Sequence, residues 1–453
     1  MNTCTHLLRG GLLLATLTLT QASLAADGQP PLDAGLTPIG AERAGNADGS
    51  IPAWEGGLDK RDFTAAANGT PTDPFANEQP LFTITAANLA QYRDRVSPGM
   101  AAMLERYPET FYLPVYPSHR TVAVSEETAA AAARNLAEAH LVNDGNGLAG
   151  FEGAVAFPEP KNGLEVIWNH ITRPREGSFR LTTDSVAPER NGDFSVVTTE
   201  QRFTQRDEIK DYQPGDDPEV LFYYSHRITA PARKAGEVVL VHETVDQVSE
   251  PRRSWVYSAG QRRVRRAPDM AYDAAGPATA GLRTADSRDM FNGAPDRYDW
   301  TLVGKRELYI PYNSYRLASP EWSYKELAKA GHINPEATRY ELHRVWVVEA
   351  TLKPGKRHIY SKRRYFVDED TWAIVEADHY DSRGELWRVG ESHGYFHPGV
   401  QAQLTAMEVF YDLQSGRYIA SGMTNEQSEP YDFDYQATAS DYSPGALRSA
   451  GLR

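Results

Sequence analysis

The chain has 453 residues, 47 Lys and Arg against 61 Asp and Glu, and a formal net charge of −14. That acidic balance argues against nucleic acid as a partner and weakens any general attraction to anionic membranes. The lone cysteine, Cys4, lies in the N-terminal leader, so the processed chain is expected to lack disulfides, thiolate nucleophiles and Cys-metal sites.

Residues 1–25 have the form of a secretory signal peptide. Arg9 supplies the positive start and Gly10 to Thr20 the apolar stretch, and Ser23-Leu24-Ala25 predicts cleavage between Ala25 and Ala26. The run is too short to span ~30 Å of hydrocarbon, and no later run approaches the ~18 residues of a membrane helix. Cys4 precedes the apolar stretch and cannot be a lipoprotein cysteine. The expectation is therefore a protein exported to the periplasm and not lipidated.

Residues 26–120 are predicted to form an irregular and helical arm packed on the main domain. Its first part is rich in Gly, Pro, Asn and Asp, with turns at Asp48-Gly49 and Pro71 to Pro74. Helices are predicted near 85–96 and 98–107, the second opening on Ser97-Pro98. A longer helix over 126–141 is capped by Ser125, filled by five alanines and ended near Asn143/Gly145.

The main domain, 121–430, changes period at about residue 164. Strands are predicted at 177–186, 193–205, 219–229, 237–248, 252–258, 262–266, 299–310, 343–353, 357–367, 371–380, 385–393, 405–412 and 416–421. Hairpin turns are predicted at Arg190-Asn191-Gly192, Ala259-Gly260, Pro354-Gly355, Ser382-Arg383-Gly384 and Ser415-Gly416. A helix at 323–330 begins with the capping box Ser323/Glu326 and stops at Gly331. Residues 431–453 are a C-terminal tail. In 237–246, Val238, Leu240, His242, Thr244 and Asp246 alternate with Val239, Val241, Glu243 and Val245, which suits a sheet with two unlike faces. The fold class expected is mainly β (α+β), a large curved antiparallel sheet.

The segment Leu36-Thr-Pro-Ile-Gly-Ala-Glu-Arg-Ala-Gly-Asn-Ala-Asp-Gly-Ser-Ile-Pro-Ala-Trp54 resembles the opening of the exported proteobacterial domain-of-unknown-function family 1329. Further matching words are Val115-Tyr-Pro-Ser-His-Arg120, Phe157-Pro-Glu-Pro, Trp168-Asn-His170, Arg297-Tyr-Asp-Trp300 and Ile310-Pro-Tyr-Asn313, so the likeness runs over nearly all of the chain after the leader. The β part more distantly resembles carriers of the LolA and LolB (outer-membrane lipoprotein-sorting) type. Arg364-Tyr-Phe-Val-Asp-Glu-Asp-Thr-Trp-Ala-Ile374 and His379-Tyr-Asp-Ser-Arg-Gly384 have their strand, turn, strand rhythm. That resemblance implies an incomplete barrel wrapped around helices, with an apolar interior that carries acyl or other lipid-like groups. This chain is about twice as long as those carriers, and its arm has no counterpart in them.

Six arginines, Arg252, Arg253, Arg262, Arg263, Arg265 and Arg266, crowd one predicted hairpin of an acidic protein. Together with Trp255 and Tyr257 they suggest a mouth for an anionic headgroup or acidic partner, against the plain alternative of a solvated face. Phe222-Tyr223-Tyr224, Trp300, Tyr309, Tyr312 and Tyr315 are candidates to line a lipid cavity, or ordinary core. Gly145-Asn-Gly147-Leu-Ala-Gly150 follows a helix and opens none, so it is expected to be a helix end and loop and not a phosphate cradle. His393 and His397 lie ~13 Å apart on an extended strand, too far to share a metal without a bend. Asp368 to Asp370 is expected to be a hairpin turn. There is no Gly-x-Ser-x-Gly, His-Glu-x-x-His or Walker motif.

These readings converge on a non-enzymatic periplasmic carrier of a hydrophobic ligand, without cofactor or metal and without nucleic acid. An inner-membrane transporter or outer-membrane protein is the candidate partner. The alternatives are a scaffold of an envelope complex and a periplasmic hydrolase. The residues expected at the ligand mouth are Arg253, Trp255, Tyr257, Arg263, Arg265, Arg266, Tyr223, Trp300, Tyr309 and Tyr312.

Overall fold

The computed structural model describes residues 32–451 except Glu176, Pro214 and Pro277. The leader and its cleavage point lie outside the described residues. In chain order the strands are β1 (Phe82–Ile84), β2 (Leu113–Val115), β3 (His140–Val142), β4 (Gly147–Ala149), β5 (Ser178–Val186), β6 (Val196–Gln205), β7 (Val220–Ala230), β8 (Val238–Thr244), β9 (Arg253–Ser258) and β10 (Arg263–Arg266). They continue as β11 (Tyr298–Pro311), β12 (Tyr340–Leu352), β13 (Lys362–Asp368), β14 (Ile374–Tyr380), β15 (Leu386–His397), β16 (Ala402–Asp412), β17 (Arg417–Met423) and β18 (Tyr431–Asp432). The helices are α1 (Leu89–Tyr92), α2 (Pro98–Arg106), α3 (Glu126–Glu138), α4 (Gly163–Ile171), α5 (Tyr315–Ala318), α6 (Tyr324–Leu327) and α7 (Pro444–Gly451).

All but β3 and β4 belong to one 16-stranded sheet. It consists of two antiparallel meanders, β5 to β10 and β11 to β17. They join where the last strand of the second pairs with the first strand of the first, Ala420 opposite Val186. The only parallel contact among the described pairs is Val115 with Tyr340, where β2 meets β12. The sheet does not close: β10 ends one side, and β11, β1 and β2 end the other. The architecture is thus mainly β, a curved sheet with few helices. Every strand predicted from residue 177 onward is present within a few residues. The turns lie where Gly allows a left-handed backbone, as at Gly192 (φ 87°) and Gly384 (φ 79°).

Three local expectations need correction. α3 ends at Glu138 because Ala139 is extended. Residues 140–149 then form the β3–β4 hairpin instead of a plain loop. Helix α4 went unpredicted, although Asn162 and Glu165 stand at capping spacing, and Asn162 accepts a hydrogen bond from the Glu165 N–H at 3.0 Å. The helix predicted over 323–330 is shorter, Tyr324–Leu327, but its Ser323/Glu326 capping box is present.

The second meander is packed on both faces. One face, with Val389, Tyr411 and Tyr418, meets Met100 and Leu104 of α2. The other, with Phe410, Ile419 and Val348, meets Ile167 and Trp168 of α4. In the first meander, the face bearing Tyr223, Val238, Leu240 and Tyr257 is covered by Ala437, Tyr442 and Leu447 of the C-terminal segment. Its opposite face lines a cavity.

Candidate ligand-binding site

The strands β5 to β8 turn one side chain in two toward the interior of the curve. Phe179 on β5, Phe203 on β6, Phe222 and Tyr224 on β7, and Val239 and Val241 on β8 form a contiguous apolar cluster there. Phe203 stands 5.3 Å from Phe179 and 4.9 Å from Phe222, ring centroid to centroid. This row is the floor of a partly open cavity of about 220 Å³. Leu404 and Glu408 of β16 and Ser421 of β17 form a side wall, and the connection from β10 to β11, residues 267–297, contributes a roof through Met270, Arg283, Arg288 and Asn292. Helix α4 fills the neighbouring part of the concavity, and Arg173 and Arg175, just beyond its end, reach the cavity.

The polar part of the lining is strongly charged. Arg252 holds Glu243 through Nε (3.1 Å) and Nη2 (2.5 Å), and Nη2 also donates to the Asn292 carbonyl at 2.8 Å. Arg173 and Arg175 share Asp289, at 2.5 and 2.6 Å. Burial pushes the Asp289 carboxyl up, but these two guanidiniums outweigh it and hold it well below the usual range. Arg283 meets Glu408 at 2.7 Å; burial lowers Arg283 and raises Glu408. Arg288 lies over the Tyr224 ring, 3.5 Å from its centroid, and donates to Gln201 Oε1 at 3.0 Å. Gln201 Oε1 also accepts from Tyr224 Oη at 2.9 Å. His226, half-buried near Arg288 and Arg283, is pushed down to about 3 by desolvation and by those charges, so it stays neutral.

Of the residues expected at the mouth, none of the ten lines this cavity. The alternation of strands decides it. On β9, Ser254 and Val256 lie on the cavity side, which sends Trp255 and Tyr257 to the outer face. There Tyr257 is buried and Trp255 lies beside His242 (4.9 Å) and under Arg266 (5.2 Å). Tyr223 also faces outward, stacked on Tyr442 at 5.2 Å with its hydroxyl on Asp217, while its neighbours Phe222 and Tyr224 face in. Arg253 pairs with Glu219 at 3.0 Å. Arg263, Arg265 and Arg266 are exposed on the edge strand β10, where charge discourages pairing with another sheet. Trp300 donates to the Pro295 carbonyl, Tyr309 packs on Phe82 and Tyr92, and Tyr312 stacks on His343 at 3.7 Å. These three belong to separate packed clusters.

Sequence reasoning missed Arg173, Arg175, Arg283 and Arg288. They sit in connections without periodicity, and only the fold brings them over the floor. Of the six arginines crowded in one segment, Arg252 alone reaches the cavity.

Among the described residues, one group has metal-ligand types close together. Ligand atoms of His343, Asp368 and Asp370 lie within 4.8 Å of one another. Most of their atoms already serve protein partners, although Asp368 Oδ1 is buried without a hydrogen-bond partner. Asp370 receives Arg120 Nη2 and Nε at 2.6 and 2.9 Å. His343 Nε2 lies 3.1 Å from Glu341. Asp368 caps the turn at Thr371, as expected of that hairpin. Arg120 also donates to the Arg43 carbonyl, Arg344 to the Ala44 carbonyl, and Lys305 bridges Glu42 and Glu369. The cluster therefore fastens the N-terminal arm to the β13–β14 turn. His393 and His397 are parted by a bulge and lie against different aromatic side chains, Tyr340 for one and Phe63 and Phe433 for the other.

The family described as "Protein of unknown function (DUF1329)" matches residues 83–448. The chain belongs to this family. A relative from Pseudomonas aeruginosa, described as an uncharacterized protein, is 55% identical over 455 residues, covering 100% of each chain. Among solved structures, a domain described as that of an outer membrane lipoprotein-sorting protein from Vibrio parahaemolyticus has a TM-score of 0.44 at 12% identity. It covers 63% of this chain and 98% of its own. A DUF1329 family protein from Desulfovibrio piger has a TM-score of 0.41 at 16% identity, covering 63% and 97%. A LolA superfamily protein from Nitrosomonas europaea has 0.35 at 12%, covering 60% and 92%. No helix among the described residues is long and apolar enough to cross a membrane.

Proposed function

We propose that this DUF1329 protein is a periplasmic carrier that binds the hydrophobic part of a lipid-like ligand in the cavity of the first meander. The observation that carries the reading is the row Phe179, Phe203, Phe222, Val239 and Val241, gathered on the concave side of a sheet whose outer face is already covered. A monomeric core would have filled this space. Here the facing segment is a polar roof, which leaves the row accessible to a guest. Each methylene removed from water is worth ~0.8 kcal/mol, so an eight-carbon stretch contributes on the order of 6 kcal/mol.

The roof meets the floor through side-chain contacts such as Arg288 to Gln201, while its Leu282, Met290 and Phe291 are anchored in the core of the second meander. A guest therefore enters through the open side of the cavity. A carrier must also deliver, and the partner that loads or unloads it is a transporter or outer-membrane protein of the envelope. No catalytic step is assigned: the carboxylates of the cavity are held by arginines.

The test is native mass spectrometry and solvent extraction of the protein purified from the periplasmic fraction of its own host. The expected result is a bound hydrophobe that leaves when organic solvent is applied. Repeated recovery of an empty protein, or recovery from the cytoplasm alone, would overturn the reading.

A further inference from the structure

We propose that the cavity selects an anionic amphiphile, a single-chain lipid with a carboxylate or phosphate head, and that Arg288 receives the head. This rests on the carrier reading above and names the substrate class for the same site.

The argument is one of charge. Five guanidiniums (Arg173, Arg175, Arg252, Arg283, Arg288) face three carboxylates (Glu243, Asp289, Glu408) around the cavity, an excess of two positive charges. The surrounding chain has a net charge of −14, so the local sign opposes the global one. The pairings leave one arginine over. Arg252 takes Glu243, Arg173 and Arg175 share Asp289, and Arg283 takes Glu408. Arg288 makes no ion pair among the described residues; it rests on the Tyr224 ring and spends one donor on Gln201. Nearby, Nε of Arg175 and Nε of Arg283 are buried without a hydrogen-bond partner.

A half-buried excess of positive charge is unfavourable unless something compensates it. An anion does so, and the planar fork of arginine suits the two oxygens of a carboxylate or phosphate. Geometry supplies the other half of the ligand. Tyr224 carries Arg288 on its face and belongs to the same cluster as Phe203, Phe222, Val239 and Val241. A head on Arg288 therefore has an apolar floor adjoining it. Arg288 also lies in the roof, while Gln201 and Tyr224 lie on β6 and β7. A head bound there adds to the contact that Arg288 already makes between roof and floor.

The experiment is calorimetric titration of the delipidated full chain, at fixed ionic strength, with sodium dodecanoate, dodecyl phosphate and 1-dodecanol. Either anion is expected to bind about 10- to 100-fold more tightly than the alcohol, and the tighter of the two identifies the head. In Arg288→Gln the preference for either anion over the alcohol should fall to within about threefold. Equal binding of dodecanol and both anions by the wild type would overturn the head assignment and leave the carrier standing. Binding of none of the three would overturn both. If Arg288→Gln does not fold, the wild-type comparison of heads decides, and Arg288→Lys, which keeps the charge without the fork, should retain only part of the preference. Full retention of the preference by a folded Arg288→Gln would remove Arg288 from the role.

Discussion

The core of the filled meander and the roof over the open one contain acids in opposite surroundings, one set without a cation beside it and one held between guanidiniums. In the filled meander, Glu376 on β14 stands directly opposite Glu391 on β15, and Asp378 lies two residues further along, against the start of α2. Neither Glu376 nor Asp378 has an ion-pair partner among the described residues. Burial, with Glu391 beside it, drives Glu376 well above the usual range, and burial pushes Asp378 up to about 7. Both acids are driven toward the neutral form. In the roof over the open meander, the half-buried Asp289 is held well below the usual range by two arginines. The lesson is that a buried carboxyl with no cation beside it is driven toward its neutral form, while one held between two guanidiniums is kept charged.

That contrast can be broken most severely at the filled side. Trp168 of α4 is buried among Ile167, Phe410 and Ile419 and donates to the Gly145 carbonyl at 2.9 Å. Trp168→Ala is expected to cost about 3–5 kcal/mol in denaturant unfolding. Phe203→Ala, on the cavity floor, should cost clearly less, because its inward side already borders free volume. Equal losses would show that the cavity is packed in solution like the rest of the core.

A smaller effect follows from Asp378. The unfolded chain ionises this carboxyl near pH 4, whereas the folded protein keeps the proton up to about 7. Folded Asp378 thus binds more protons than unfolded Asp378 between those values, and its contribution makes stability fall as pH rises from about 4 to about 7, with no further change above. Asp378→Asn removes that component. Relative to wild type, the variant should gain on the order of 1–3 kcal/mol between pH 4 and pH 8 in paired denaturation series. Parallel profiles for the two proteins would mean that Asp378 is ionised in the fold.

The smallest change in stability is expected at Thr199, which lines the cavity from β6. Thr199→Trp should fill free space and alter the unfolding free energy by less than about 1 kcal/mol, yet abolish uptake of a fluorescent fatty acid. Retained uptake would place the guest elsewhere.

Legibility from sequence varied with the range of the cause. Strands such as β7 and β8 were visible because alternation and turn residues act over a few positions. The helix start at Ser97-Pro98 was visible for the same reason, and Ser97 accepts from the Met100 N–H at 3.2 Å. Strands of two or three residues, such as β2 and β18, were not visible, because distant partners and not their own pattern make them strands. The candidate site was harder. Phe222, Tyr223 and Tyr224 are all aromatic and alternation sets Tyr223 opposite its neighbours, but only the tertiary fold decides that Tyr223 meets Tyr442 and the other two the cavity.

The sequence by itself determined the elements of the second half of the chain, their turns, the mainly β class and the family likeness, all properties of neighbouring residues or of long matched words. Tertiary structure alone decided which face of each strand is inside and which arginine is left without a carboxylate. Both depend on β17 returning to pair with β5, where Ala420 meets Val186. That contact joins the two meanders into one sheet, and no local pattern of side chains encodes a meeting between segments so far apart.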